Sequence, residues 1–146
     1  MRGITLVLLF WSLNLSSVAA QSSSCLIEAT NYKGWSAQQI SNRWVTLEIV
    51  PQNGGRLMQV IFAGHSYLFV NPKYEGKYLP SDSSRWFNYG GDKLWLLPEG
   101  NEDEQHWVGN SDLLDDGPYS FRKVSEGPEC EVELTGPADP TARGVR

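Results

Sequence analysis

The sequence predicts an all-β protein, an antiparallel β-sandwich, and three observations carry that expectation. Apolar and polar residues alternate with period two in several short stretches, no window keeps a helical period, and Gly, Pro and Asn turn formers separate the stretches. A chain of 146 residues has room for one domain. Its formal net charge of −5, from 12 Lys+Arg against 17 Asp+Glu, argues against nucleic acid and anionic membrane surfaces as partners, because both need a basic footprint. A hydrophobic content of 40% excludes compositional disorder and a polytopic membrane protein. The unusual feature is an aromatic content of 12%, with Trp and Tyr at 6 each.

Residues 1–20 read as a secretory signal rather than as part of the fold. Arg2 is followed by an apolar core over residues 4–11 and by small residues up to Ala20, where cleavage is expected. The apolar core is short for a membrane span. An uncleaved anchor and a lipoprotein at Cys25 are weaker alternatives. An exported protein, periplasmic or extracellular, with no membrane contact after cleavage, is the expectation. Residues 21–30 form a lead-in to a domain over residues 31–146.

Within that domain, strands are expected in order. Residues 37–41 form the first. Residues 44–50 follow, with Val45, Leu47 and Ile49 on one face and Thr46 and Glu48 on the other. Pro51-Gln52-Asn53-Gly54-Gly55 is a turn, since Asn-Gly supplies the positive φ that hairpins need. Residues 56–62 return, and Ala63-Gly64-His65 turns the chain into a strand over residues 66–70. Residues 119–124 and 130–135 form a last pair. Cys130, Val132 and Leu134 share one face of it, and Glu131, Glu133 and Thr135 the other.

Cys25 and Cys130 are the only cysteines, and an even count in an exported chain favours a disulfide between them, two separate thiols being the alternative. No Cys-x-x-Cys pattern is present and His is scarce, so no zinc site is expected. Two long stretches are loop-like. Residues 71–98 are rich in aromatics and turn formers. Residues 99–118 carry Glu99, Glu102, Asp103, Glu104, Asp112, Asp115 and Asp116 with no Lys or Arg, and read as a solvated acidic loop. Their spacing is not that of an EF-hand, which disfavours calcium. The stretch after Thr135 reads as a connection to further structure, so the domain is expected to be truncated on its C-terminal side.

The densest chemistry lies in Arg85-Trp86-Phe87-Asn88-Tyr89-Gly90-Gly91-Asp92-Lys93-Leu94-Trp95. Aromatic faces cover the apolar C–H face of a sugar ring, and planar Asn, Asp and Arg groups pair with hydroxyls. A core strand of aromatics with a tight turn is the structural alternative. Arg56 could clamp a hydroxyl or form an ion pair, and Asp92 with Lys93 could form a polar pair at a groove or a surface salt bridge. His65 reads as an exposed turn residue, and His106 lies beside the acidic loop. No Ser/His/Asp order, phosphate-binding glycine loop or dinucleotide fingerprint is present, so no cofactor is expected.

Gly54-Gly55-Arg56-Leu57-Met58, followed by Asn88-Tyr89-Gly90-Gly91-Asp92-Lys93-Leu94-Trp95 and Pro98, resembles an uncharacterised family of secreted bacterial proteins. That family is similar to the galactose mutarotase-like, or aldose 1-epimerase-like, superfamily, and the resemblance covers roughly residues 30–140. It implies part of a β-supersandwich with a sugar groove on a concave face, and a substrate-binding role for Arg56. The superfamily's His-Gly-Gly element is matched here by Tyr89-Gly90-Gly91, so its histidine is missing, and its later catalytic residues lie beyond Arg146. Carbohydrate binding through Arg56, Trp86, Asn88, Asp92, Lys93 and Trp95 is therefore the expected function. An aldose-epimerase-like or polysaccharide-acting enzyme whose catalytic half is missing is the second hypothesis. A structural envelope protein with core aromatics is the third.

Overall fold

The computed structural model describes residues 24–80, 87–94 and 112–138. They form an all-β, antiparallel arrangement of two sheets. The larger sheet is a run of consecutive hairpins in the order β1 (Leu26–Tyr32), β2 (Trp35–Ser41), β3 (Val45–Val50), β4 (Arg56–Phe62) and β5 (His65–Ser66). After the helical turn α1 (Asp112–Asp116) comes a two-stranded sheet of β6 (Ser120–Ser125) and β7 (Glu131–Thr135).

Local chemistry sets the hairpins. Lys33-Gly34 and Ala63-Gly64 are two-residue turns with positive φ throughout, the conformation that matches strand twist, and they fix the pairs Tyr32–Trp35 and Phe62–His65. Asn42 Oδ1 accepts from the backbone N–H groups of Trp44 and Val45 at 2.8 and 3.0 Å, closing the turn between β2 and β3.

The buried core lies on one face of the sheet, built from Trp35, Ala37, Val50, Met58 and Tyr89, with Tyr32, Val70, Tyr74, Leu79 and Phe87 packed against it. Tyr74 sits 5.3 Å from Tyr89 and 6.0 Å from Phe87, ring centroid to ring centroid. Trp35 donates its indole N–H to the carbonyl of Lys77 at 2.8 Å, and the Tyr89 hydroxyl accepts from the N–H of Leu79 at 3.1 Å. Residues 71–80 and 87–89 thus cover the sheet with aromatic rings.

The alternation expected in β3 holds for Val45, Leu47 and Glu48, and the side that carries Glu48 is the one that meets this core. Glu48 is 5% exposed and shares its side of the strand with fully buried Val50, whereas Val45 and Leu47 are only half-buried. Glu48 pairs with Gln39 on one side and Gln59 on the other, and Gln39 Nε2 donates to Glu48 Oε1 at 2.8 Å. The other face carries the cross-strand row Ile27, Ile40, Leu47 and Val60. A register shift between Glu48 and Ile49 pairs Ile49 with Leu57 and leaves Met58 as the extra residue of the bulge, with its side chain in the core.

Two further differences concern the elements themselves. Leu26–Tyr32 is a full strand, although most of it falls in the expected lead-in, because its Ile27 and Ala29 alternation pairs along all of β2. The expected strand over residues 66–70 keeps only its first residue in the ladder of β5. Beyond Ser66 the Tyr67 N–H is shared between the Val60 carbonyl at 3.0 Å and Gln59 Oε1 at 2.9 Å, and the Gln59 side chain then replaces backbone partners, accepting from the Leu68 N–H at 2.8 Å and donating to the Leu68 carbonyl at 3.0 Å.

The small sheet is stitched to the edge of β1. Cys25 and Gly127 exchange backbone hydrogen bonds of 2.6 and 3.3 Å, and the Ile27 N–H donates to Glu126 Oε1 at 2.6 Å. Cys25 and Cys130 form a disulfide with a Cα–Cα distance of 5.9 Å.

Candidate functional site

The turn after β3 delivers Arg56 into the interior. Asn53 and Gly54 are buried there, and Gly54 donates to the Gly117 carbonyl at 2.9 Å. A Cβ on Gly54, whose φ is +70°, would lie 1.8 Å from the Asp115 carbonyl oxygen, so only glycine lets α1 close onto the turn.

Arg56 is 3% exposed, and its guanidinium is surrounded by acceptors. Nη2 donates to Asp116 Oδ1 at 3.1 Å, to Asp115 Oδ1 at 3.2 Å and to the Asp115 carbonyl at 3.3 Å, while Nη1 reaches the Gly90 carbonyl at 3.4 Å. The guanidinium carbon stands 5.5 Å from the ring centre of Tyr89. The Lys93 ammonium contacts Asp115 in the same cluster. Burial lowers the pKa of Arg56, and Asp116 pulls it back up. Burial raises the hydroxyl pKa of Tyr89 and of Tyr119, the latter donating to the Leu114 carbonyl at 2.9 Å.

This cluster corrects the reading of residues 99–118 as a solvated acidic loop, as far as they are described. Asp115 and Asp116 are 6% and 7% exposed and face two cations, because α1 folds back over the Gly-Gly turn. The two carboxylates are the functional-group partners that sequence reasoning missed. The separations of 59 and 60 residues from Arg56 hide them from any local pattern.

The second motif meets the first directly. Leu57 and Asp92 exchange backbone hydrogen bonds of 3.0 and 2.8 Å, which places the turn of residues 88–92 beside the Gly-Gly-Arg strand. Val70 pairs with Gly90, Gly91 donates to the Phe69 carbonyl at 2.8 Å, and Asn71 donates to the Tyr89 carbonyl at 3.0 Å. A Cβ on Gly90 would lie 2.1 Å from the Phe69 carbonyl oxygen, so the close approach needs a glycine here as well.

Among the expected site residues, the structure brings Arg56, Asn88, Asp92 and Lys93 into this one region but gives them different surroundings. Arg56 and Lys93 have buried charged ends, with Lys93 9% exposed at its side chain. Asn88 and Asp92 are exposed. The Asn88 Oδ1 accepts from the Gly90 N–H at 3.1 Å, and the Asp92 Oδ1 accepts from the Lys93 N–H at 3.0 Å, each leaving polar capacity toward solvent. Trp86, Trp95 and His106 lie outside the described residues, as do residues 1–20 and most of the acidic stretch. His65 is exposed at the end of the β4–β5 hairpin.

Chemically, the region divides into a buried charge cluster that fixes three segments together and an exposed rim of carboxylate and carboxamide groups beside Phe69. Phe69 is 63% exposed, and Tyr67 next along the segment is 61% exposed. Among the described residues, no group of three or more His, Cys, Asp or Glu side chains is arranged to hold a metal ion. Comparison with known proteins finds no match to a family model, to a curated protein or to a solved structure.

Proposed function

We propose that the chain is an exported carbohydrate-binding protein, with a galactose mutarotase-like sandwich and a sugar site built on the turn of residues 88–92. The observation that carries the reading is the Leu57–Asp92 pairing. It makes neighbours of the two stretches, residues 54–58 and 88–93, on which the resemblance rests. Exposed Asn88 and Asp92 then offer planar hydrogen-bonding groups to sugar hydroxyls, and Trp86 and Trp95, flanking the turn in sequence, offer ring faces. Arg56 and Lys93 serve this site through the turn that they hold, by way of Asp115, Asp116 and the Gly90 carbonyl.

Calorimetric titration of the full chain with soluble mono- and disaccharides tests this. Asp92→Ala and Trp95→Ala are expected to weaken binding at least tenfold with the melting temperature unchanged. Unchanged affinity in both variants removes the site. The burial of Arg56 and Lys93 in protein contacts favours one competing reading, a structural envelope protein, which predicts that no sugar binds at all.

A further inference from the structure

We infer that the segment carrying Tyr67 and Phe69 is a second part of the carbohydrate site, a stacking strip that accepts consecutive rings of an extended glycan chain. The inference rests on the carbohydrate reading above and extends it from a single sugar to an oligosaccharide. Two large aromatic side chains, 61% and 63% exposed, stand on alternate residues, while Leu68 and Val70 between and beyond them are half-buried and Val70 packs on the core.

This exposure is imposed by the fold. Gln59, 3% exposed, uses its carboxamide as a substitute for a strand. It accepts from Leu68 and from Tyr67, whose N–H also reaches the Val60 carbonyl at 3.0 Å, donates to the Leu68 carbonyl at 3.0 Å, and lies 3.4 Å from the Tyr32 hydroxyl. A buried amide with its capacity used in this way holds the chain where it bends at Leu68 and leaves the two rings in water. Burying a polar group is unfavourable unless it is bonded, and exposing apolar rings is unfavourable as well, so the combination marks a surface built for contact.

The neighbourhood of the strip selects a glycan as the occupant. The strip is continuous with the polar rim, since the Phe69 carbonyl accepts from Gly91 at 2.8 Å and Asp92 and Asn88 follow on either side of that glycine pair. Exposed rings with hydroxyl-pairing groups at one end suit an amphipathic polymer of sugars.

The test is titration of the full chain with gluco-, xylo-, manno- and galacto-oligosaccharides of one to six units, for wild type, Tyr67→Ala, Phe69→Ala and Asp92→Ala. In the series that binds, affinity is expected to rise at least tenfold from one unit to three or more. Tyr67→Ala and Phe69→Ala abolish that rise, leave the monosaccharide affinity within twofold, and keep the wild-type melting temperature. Asp92→Ala weakens every length. An affinity independent of length, or a length dependence that survives both aromatic variants, overturns the strip while leaving the sugar site at Asp92 standing. Self-association of the protein that Tyr67→Ala abolishes, with no length dependence, overturns it in favour of a protein contact. Failure of every sugar to bind wild type overturns both readings.

Discussion

Arg56 Nη2 and Asp116 Oδ1 lie 3.1 Å apart with each side chain only 4% exposed, so this ion pair is withdrawn from water. Removing one partner of a buried pair leaves the other as an uncompensated charge, which costs about 3–5 kcal/mol. Arg56→Ala takes from Asp115 and Asp116 the guanidinium that they share, and we predict a stability loss approaching that size in urea denaturation. A loss below about 1 kcal/mol would mean that the aspartates are already solvated and that α1 does not close on the turn.

Gly54 and Gly90 are predicted to be intolerant of a methyl group for the same reason at two places. Each has a positive φ and an opposing carbonyl at 1.8 or 2.1 Å from the added Cβ, belonging to Asp115 and Phe69 respectively. Backbone on both sides must shift, so Gly54→Ala and Gly90→Ala should each lose at least about 1–3 kcal/mol. Gly64, where an added Cβ meets nothing within 4 Å, is the control, and Gly64→Ala should lose less, limited to the φ of +78°. Chemical denaturation of the three variants orders them.

Alkaline pH should destabilise the fold through its buried phenols. Tyr89 and Tyr119 have pKa values raised above the ordinary 10.0, by burial first in each case. The unfolded chain therefore loses these protons before the folded one does. Their contribution is complete below about pH 10 and is lost as pH rises through the higher folded values. The urea midpoint, measured from about pH 8 to about pH 11, should fall at the top of that range, and Tyr89→Phe should reduce the fall. A midpoint that stays flat while phenolate absorbance grows contradicts the burial of these rings.

The Cys25–Cys130 disulfide spans a sequence separation of 105 and joins the small sheet to the start of β1. Loop-closure entropy for a loop of this length is worth about 4–5 kcal/mol. Reduction, or Cys25→Ser with Cys130→Ser, should lower unfolding stability by about that amount. A loss under about 2 kcal/mol would show that the Cys25–Gly127 and Ile27–Glu126 hydrogen bonds hold the two sheets without the bridge.

The strands were legible where alternation and turn chemistry agree. The hairpin of β3 and β4 follows from its β-branched run and the Asn53-Gly54 turn, and β7 keeps the expected facing, with Val132 and Leu134 half-buried and Glu131 and Glu133 exposed. Facing in β3 was not legible, because Glu48 is buried by pairing with Gln39 and Gln59, and such a polar row looks like a solvent face in one dimension. β1 was weak in sequence because Glu28 and Thr30 interrupt one of its sides and Asn31 the other. The contact between Leu57 and Asp92 was not legible, since no local rule links residues so far apart in the chain. Gln59 escaped notice altogether: a glutamine within an ordinary strand pattern gives no sign that its side chain will replace a strand.

The most direct test of the account is amide NMR of the ¹⁵N-labelled protein during titration with a soluble oligosaccharide. Binding at the proposed surface predicts saturable shifts centred on Gly91, Asp92, Tyr67 and Phe69, with the amides of β7 unmoved. Saturable shifts confined to β6 and β7, or no shifts with any of the sugars, would contradict it.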